Sequence, residues 1–228
     1  MLLLSEAARI LSGELAGSDA VFKRVVTDSR AVQAGDLFVA LKGDNFDAHD
    51  FVADVLAKGA FALVRRDFAA AGGSVIRVDD PRLALGTLAA AWCARLDVKR
   101  IGITGSNGKT TVKEMVAAIL RAHAGDAAVH ATAGNFNNDI GLPLTLLALT
   151  AAHRYAVIEM GMNHFGEIRY LTGLARPQVA LVNNAMRAHL GGGFDSTADI
   201  ARAKSEIFEG LTPEGVAIIN ADDAQQPV

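Results

Sequence analysis

The 228 residues carry a net charge of −3 with no long basic run, which argues against a nucleic-acid surface. Hydrophobic residues make up 51% of the chain and mean hydropathy is +0.26, enough for a sizeable core in one large domain or two smaller ones. No apolar run reaches the roughly 18 residues that span a bilayer, Met1–Leu4 is too short for a signal-peptide core, and the single cysteine, Cys93, excludes an internal disulfide.

In chain order, Val21–Val26 and Asp36–Ala40 read as strands, and Phe51–Lys58 as a helix closed by Gly59. Phe61–Val64 and Val75–Val78 read as further strands. Asp79-Asp80-Pro81 marks a boundary, with Asp80 as cap and Pro81 as first residue of a helix over Arg82–Arg95. Cys93 sits beside Trp92 in that helical pattern and reads as a buried structural thiol, which fits a reducing cytoplasm. Strands then alternate with helices. The strands are Lys99–Thr104, Ala127–Ala131, Tyr155–Met160, Val179–Asn183 and Val216–Asn220. The helices are Lys109–His123, Leu142–Leu149, Gly166–Ala175 and one from about Thr197 to Glu209, opened by Ser196-x-x-Asp199. The expected fold is α/β: a small amino-terminal domain over residues 1–80, then a mostly parallel, P-loop-type sheet over 81–228 with helices on both faces. Ligands bind such sheets at the carboxyl ends of the strands. The chain stops at Ala224–Val228, just after a strand, which points to an unfinished sheet in a fragment of a longer protein.

The turn Gly105-Ser106-Asn107-Gly108-Lys109-Thr110-Thr111 lies between an apolar strand and an amphipathic helix. Its glycines let backbone amides crowd around phosphate oxygens, Lys109 offers a charge to the outer phosphates, and the Thr110 hydroxyl suits Mg²⁺. The helix directs its positive end at the same anion. The strict P-loop pattern wants glycine at 103, where this chain has Ile103; the extra glycine is Gly105. A nucleoside triphosphate is the expected ligand. Glu159 ends an apolar strand, where a carboxylate either holds Mg²⁺ or faces solvent. His189 follows another strand end, as a metal or phosphate ligand or as a surface residue. Lys204 alone reads as an exposed helix lysine. The amides of Asn135, Asn137 and Asn138 suit a neutral polar ligand or a turn. Ser29, Arg30 and Lys42 suit a phosphate or nucleotide, although Asp28 and Arg30 equally make a structural ion pair.

Taken together, these stretches resemble the ATP-dependent Mur ligases of peptidoglycan synthesis. The resemblance covers nearly all 228 residues. Asp28-Ser29-Arg30, Gly35–Gly43 and Asp47–Phe51 are similar to the family's amino-terminal domain, which holds the UDP end of the substrate. Thr104–Thr111, Gly134–Leu147, Glu159–Ile168 and Ala203–Phe208 are similar to its ATP domain, and Gly134–Leu147 most of all to the branch that adds D-alanyl-D-alanine to UDP-N-acetylmuramoyl-tripeptide. The resemblance implies a cytoplasmic, monomeric enzyme of cell-wall synthesis that uses ATP and Mg²⁺. It implies catalytic roles for Lys109, Glu159, His189 and Lys204, and a metal held by Thr110, Glu159, His189 and a carbamylated Lys204. It places Ser29, Arg30, Lys42, His49, Asn135 and Asn138 at the substrate. Ala48 stands where the family usually has glycine, and Leu190–Ser196 departs from the usual stretch after the histidine. The family's carboxyl-terminal domain is expected to be absent, so the fragment alone is expected to bind without ligating. A sibling amide ligase, one of folylpolyglutamate-synthetase type, a non-catalytic nucleotide-binding module and an unrelated P-loop kinase stay open.

Overall fold

Short apolar runs punctuated by glycine and proline become the strands of two separate sheets. The computed structural model describes residues 1–69, 72–187 and 193–225. The chain divides into two units, Met1–Ala91 and Trp92–Val228, a division that falls inside the helix Pro81–Cys93.

The first unit contains α1 (Leu4–Ile10), β1 (Glu14–Ala16), β2 (Val25–Val26), β3 (Leu37–Val39), α2 (Val52–Ala57), β4 (Phe61–Arg65), β5 (Val75–Val78) and most of α3 (Pro81–Cys93). Its sheet runs β1-β5-β4-β3-β2, parallel except for the β1 edge. Phe38, Val52, Val55, Ala62 and Val64 form the core on one face. α1 and β1 escape the sequence reading because both are short and carry little periodicity. β2 is shorter than expected because Val21 bridges to Leu3 while Arg24 turns its guanidinium onto buried Asp36 at 2.6 and 3.0 Å. The expected Asp80 cap is present, its carboxylate accepting from the amides of Arg82 and Leu83 at 2.7 and 3.2 Å. Cys93 is buried, and burial pushes its thiol pKa up.

The second unit contains β6 (Lys99–Thr104), α4 (Lys109–Ala124), β7 (Val129–Ala131), α5 (Gly141–Leu147), β8 (Tyr155–Glu159), α6 (Glu167–Ala175), β9 (Val179–Val182), α7 (Thr197–Ser205) and β10 (Val216–Ile219). The sheet order is β10-β9-β6-β8-β7 and every pairing is parallel. Ile103, Ala117, Val129 and Val157 pack α4 onto this sheet. Ser196 opens α7 as expected, its hydroxyl accepting from the Asp199 amide at 3.1 Å. That helix ends at Ser205 and tightens into a 3₁₀ turn over Glu206–Gly210. β6 is central, with β8 on one side and β9 on the other, so the chain reverses its direction of winding there. The loops after β6, β8 and β9 therefore open into one crevice. No helix among the described residues is long and apolar enough to cross a membrane.

Candidate functional site

The loop after β6 is built to hold its shape before any ligand arrives. Thr104 is fully buried and donates its hydroxyl to the Met160 carbonyl at 2.8 Å, tying the ends of β6 and β8 together. A Cβ on Gly105 would crowd the Asn183 Cβ at 3.0 Å, and Gly108 has φ +72°, a backbone conformation that favours glycine. The loop after β9 braces it from the side. The Ser106 amide donates to the Asn184 carbonyl and the Asn107 amide to Asn184 Oδ1, both at 2.9 Å. The side-chain amides of Asn183 and Asn184 donate back to the Asn107 carbonyl at 2.9 and 3.1 Å. α4 begins at Lys109, and its first amides have no carbonyl within the helix to take. The Lys109 ammonium folds over the loop, 2.9 Å from the Gly105 carbonyl oxygen. An ammonium in that place, above free amides, is poised for an anion.

Glu159 pairs in register with Ile103, so its carboxylate emerges beside this loop. It is 2% exposed, accepts the Thr110 hydroxyl at 2.9 Å on Oε2 and the Asn137 side-chain amide at 2.8 Å on Oε1. Among the described residues both partners are neutral and no cation pairs with it. A buried carboxylate satisfied only by neutral donors favours a positive charge nearby. Glu159 Oε2 and Thr110 Oγ1 are hard oxygen donors on adjacent elements, so the residues present fit Mg²⁺, which takes one or two carboxylates and completes its shell with phosphate and water. No group of three or more His, Cys, Asp or Glu gathers among the described residues. Lys204 is not an exposed helix lysine: it is 1% exposed, and burial, with the positive charge of Lys109 adding to it, pushes its pKa down to about 7. His189 lies outside the described residues.

Residues 103–227, more than half of the chain, match the model of the Mur ligase middle domain. The chain belongs to the Mur ligase family. Residues 21–92 match a second model, described as Mur ligase family, catalytic domain. The UDP-N-acetylmuramoyl-tripeptide–D-alanyl-D-alanine ligase of Escherichia coli K12 is 50% identical over 220 residues, which cover 96% of this chain and 48% of that protein. MurF from Acinetobacter baumannii superimposes with a TM-score of 0.87 at 42% identity, over 96% of this chain and 49% of that one. MurF from Thermotoga maritima, solved with ADP, gives 0.79 at 32% identity, over 89% and 46%. The chain thus spans about half the length of the Mur ligases it matches.

The first unit of this Mur ligase chain treats its expected substrate residues differently. Arg30 is exposed, and one edge of its guanidinium donates to Asp28, from Nε at 2.9 Å and Nη2 at 2.8 Å, which holds the Asp28 carboxyl down at about 2. The Ser29 carbonyl accepts from Lys58 at 3.0 Å. His49 is buried: its Nε2 accepts from the Arg65 amide at 3.0 Å, leaving Nδ1 to donate to Asp47 at 2.6 Å. Ala48 is not among the positive-φ residues, so alanine replaces the usual glycine without strain. Lys42 and His49 line a cavity of about 270 Å³ together with Arg65, Asp79, Asp80 and Arg82. In the second unit Asn135 is exposed, while Asn138 accepts from the Gly141 amide at 2.8 Å and opens α5.

Sequence reasoning read Asn137 as a ligand or turn amide and not as a partner of Glu159, and it missed Asn183 and Asn184 beside the loop. It also missed Thr132, which accepts the Glu159 amide on its hydroxyl at 3.0 Å, and buried Lys113, which donates to the Thr132 carbonyl at 2.6 Å. Asn183-Asn184 had a usable signal, since both stand immediately after a strand whose end faces the crevice.

Proposed function

We propose that this chain supplies the substrate- and ATP-binding parts of a cytoplasmic ligase that joins D-alanyl-D-alanine to UDP-N-acetylmuramoyl-tripeptide. The observation that carries the reading is the convergence of Lys109, Thr110 and Glu159 at neighbouring strand ends, in a chain half identical to a ligase of that name. The terminal carboxylate of the tripeptide attacks the γ-phosphorus of ATP, and the bond from that phosphorus to the ADP oxygen breaks. The acyl phosphate so formed is attacked at carbon by the amine of the dipeptide. Phosphate leaves with its electron pair, the amine loses a proton, and an amide remains. Activation is needed because a free carboxylate resists an amine in water.

Lys109 turns from the Gly105 carbonyl to the outer phosphate oxygens, and the amides at the start of α4 orient them. Thr110 and Glu159 hold Mg²⁺, which supplies positive charge to the phosphoryl group. Lys204, its pKa pushed down to about 7 by burial, offers a free amine in roughly half of the molecules at pH 7. It reacts with CO₂ to form an N–C bond and release a proton, and the resulting carbamate is an anionic oxygen donor. The cavity lined by Lys42, Arg65 and Arg82 in the first unit receives the UDP end.

Calorimetry with Mg-ATP and with UDP-N-acetylmuramoyl-tripeptide, followed by chromatography of reaction mixtures, tests this reading. The 228-residue chain, which spans 48% of the Escherichia coli ligase, is expected to bind both and to ligate almost nothing. Failure to bind the UDP substrate would contradict it and favour a member of the family that acts on a different substrate.

A further inference from the structure

A carboxylate has two oxygens, and a cation is held by one or by both. Ca²⁺ accepts six to eight oxygens and readily takes a carboxylate two-handed; Mg²⁺ insists on six, at closer range, and keeps much of its water. The way Glu159 is held therefore bears on which ion the crevice prefers.

Asn137 occupies one of the two oxygens. Its side-chain nitrogen donates to Glu159 Oε1 at 2.8 Å, and an amide nitrogen cannot ligate a cation. Oε2 alone faces the Thr110 hydroxyl, at 2.9 Å. The Asn137 backbone is fixed on both sides. The Gly161 amide donates to the Asn137 carbonyl at 2.8 Å, and the Asn137 amide donates to the Asn135 carbonyl at 2.7 Å. Asn137 Oδ1 stands 2.9 Å from where a Cβ on Gly161 would be, so the side chain fills the space that this glycine leaves. Behind the carboxylate, the Glu159 amide is anchored on the Thr132 hydroxyl at 3.0 Å.

We infer that Asn137 is a positioning residue that makes Glu159 a one-oxygen ligand and so biases the site toward Mg²⁺ over Ca²⁺. The inference rests on the reading that Glu159 holds the nucleotide's cation. Removing the amide frees Oε1 to turn toward the ion, which helps Ca²⁺ and loosens the geometry Mg²⁺ needs. Loss of such an outer partner typically lowers metal affinity about 10- to 100-fold.

The test is calorimetric titration of ADP into the 228-residue chain in EDTA, MgCl₂ or CaCl₂, for wild type, Asn137→Ala and the similarly sized Asn137→Leu, which cannot donate, with circular dichroism melts to verify folding. Wild type is expected to bind ADP more tightly with Mg²⁺ than with Ca²⁺. In both variants that ratio should narrow by about tenfold, with the affinity in EDTA unchanged. A folded variant that keeps the wild-type ratio overturns the inference while leaving the cation reading intact. Wild-type affinity that is the same in EDTA and MgCl₂ sinks the cation reading itself. Should neither variant fold, a wild-type crystal grown with Mg-ADP decides: one Glu159 oxygen on the ion supports the inference, and two overturn it.

Discussion

The strand ends of the second unit and the loops of the first unit make an instructive contrast. In the second, the polar residues meet each other across strands: Thr110 with Glu159, Asn137 with Glu159, Asn184 with Asn107. In the first, the expected substrate residues are largely occupied by close neighbours in sequence, Arg30 by Asp28 and His49 by Asp47. On the proposed function, the difference follows from what each ligand asks of the protein. A phosphate chain is bound by backbone amides and one ammonium, which a parallel sheet presents at its carboxyl edge. A sugar nucleotide asks for side chains gathered from scattered loops, and here the cavity draws on Arg65 and Arg82 as well as on Lys42.

The sharpest way to break the contrast is at Lys109. Lys109→Ala should weaken Mg-ATP binding by about 10- to 100-fold, since a charge-assisted hydrogen bond is worth roughly 1.5–3 kcal/mol. The same variant should leave binding of the UDP substrate unchanged, and paired calorimetric titrations measure both. Equal losses for the two ligands would show that the sites are not divided as described.

Lys204 gives a pH signature. Burial, and after it the charge of Lys109, lowers its folded pKa to about 7, against roughly 10.4 in an unfolded chain. Below pH 7 the folded protein holds a buried cation and the full penalty applies. Between about 7 and 10.4 the unfolded chain binds the extra proton, so this residue makes stability rise with pH, on the order of 1 kcal/mol per unit. Urea unfolding in CO₂-free buffer at several pH values should find that slope in wild type and lose it in Lys204→Met. A variant with the wild-type slope would mean that another group titrates.

The smallest effects sharpen the reading of the first unit. Arg65→Ala should weaken UDP-substrate binding about tenfold through loss of a charged donor. Arg30→Ala, which removes an exposed ion pair that solvent screens, should change stability little and binding less than Arg65→Ala. The reverse order would return the substrate site to the Asp28–Arg30 turn.

Much of the second unit was legible because each element carries its own signal. β6 runs from Lys99 to Thr104, as the apolar run before the glycine turn predicts, and α4 starts at the lysine. The phosphate loop was legible for the same reason, since its chemistry lies in consecutive residues. Asn137 was not, because its partner Glu159 lies 22 residues further on and only the strand order brings them together. Lys204 was misread from its neighbours alone: a lysine between Ala203 and Ser205 looks solvated until the tertiary fold buries it. Arg65 and Arg82 went unnoticed as cavity residues because each sits near an element boundary with nothing local to mark it.

A crystal structure of the chain with Mg²⁺ and a non-hydrolysable ATP analogue tests the central assignment most directly. The terminal phosphates should lie against the amides at the start of α4, with Lys109 moved off the Gly105 carbonyl and the ion seated between Thr110 and Glu159. A nucleotide bound elsewhere, or a loop still closed by Lys109 at saturating ligand, would contradict it.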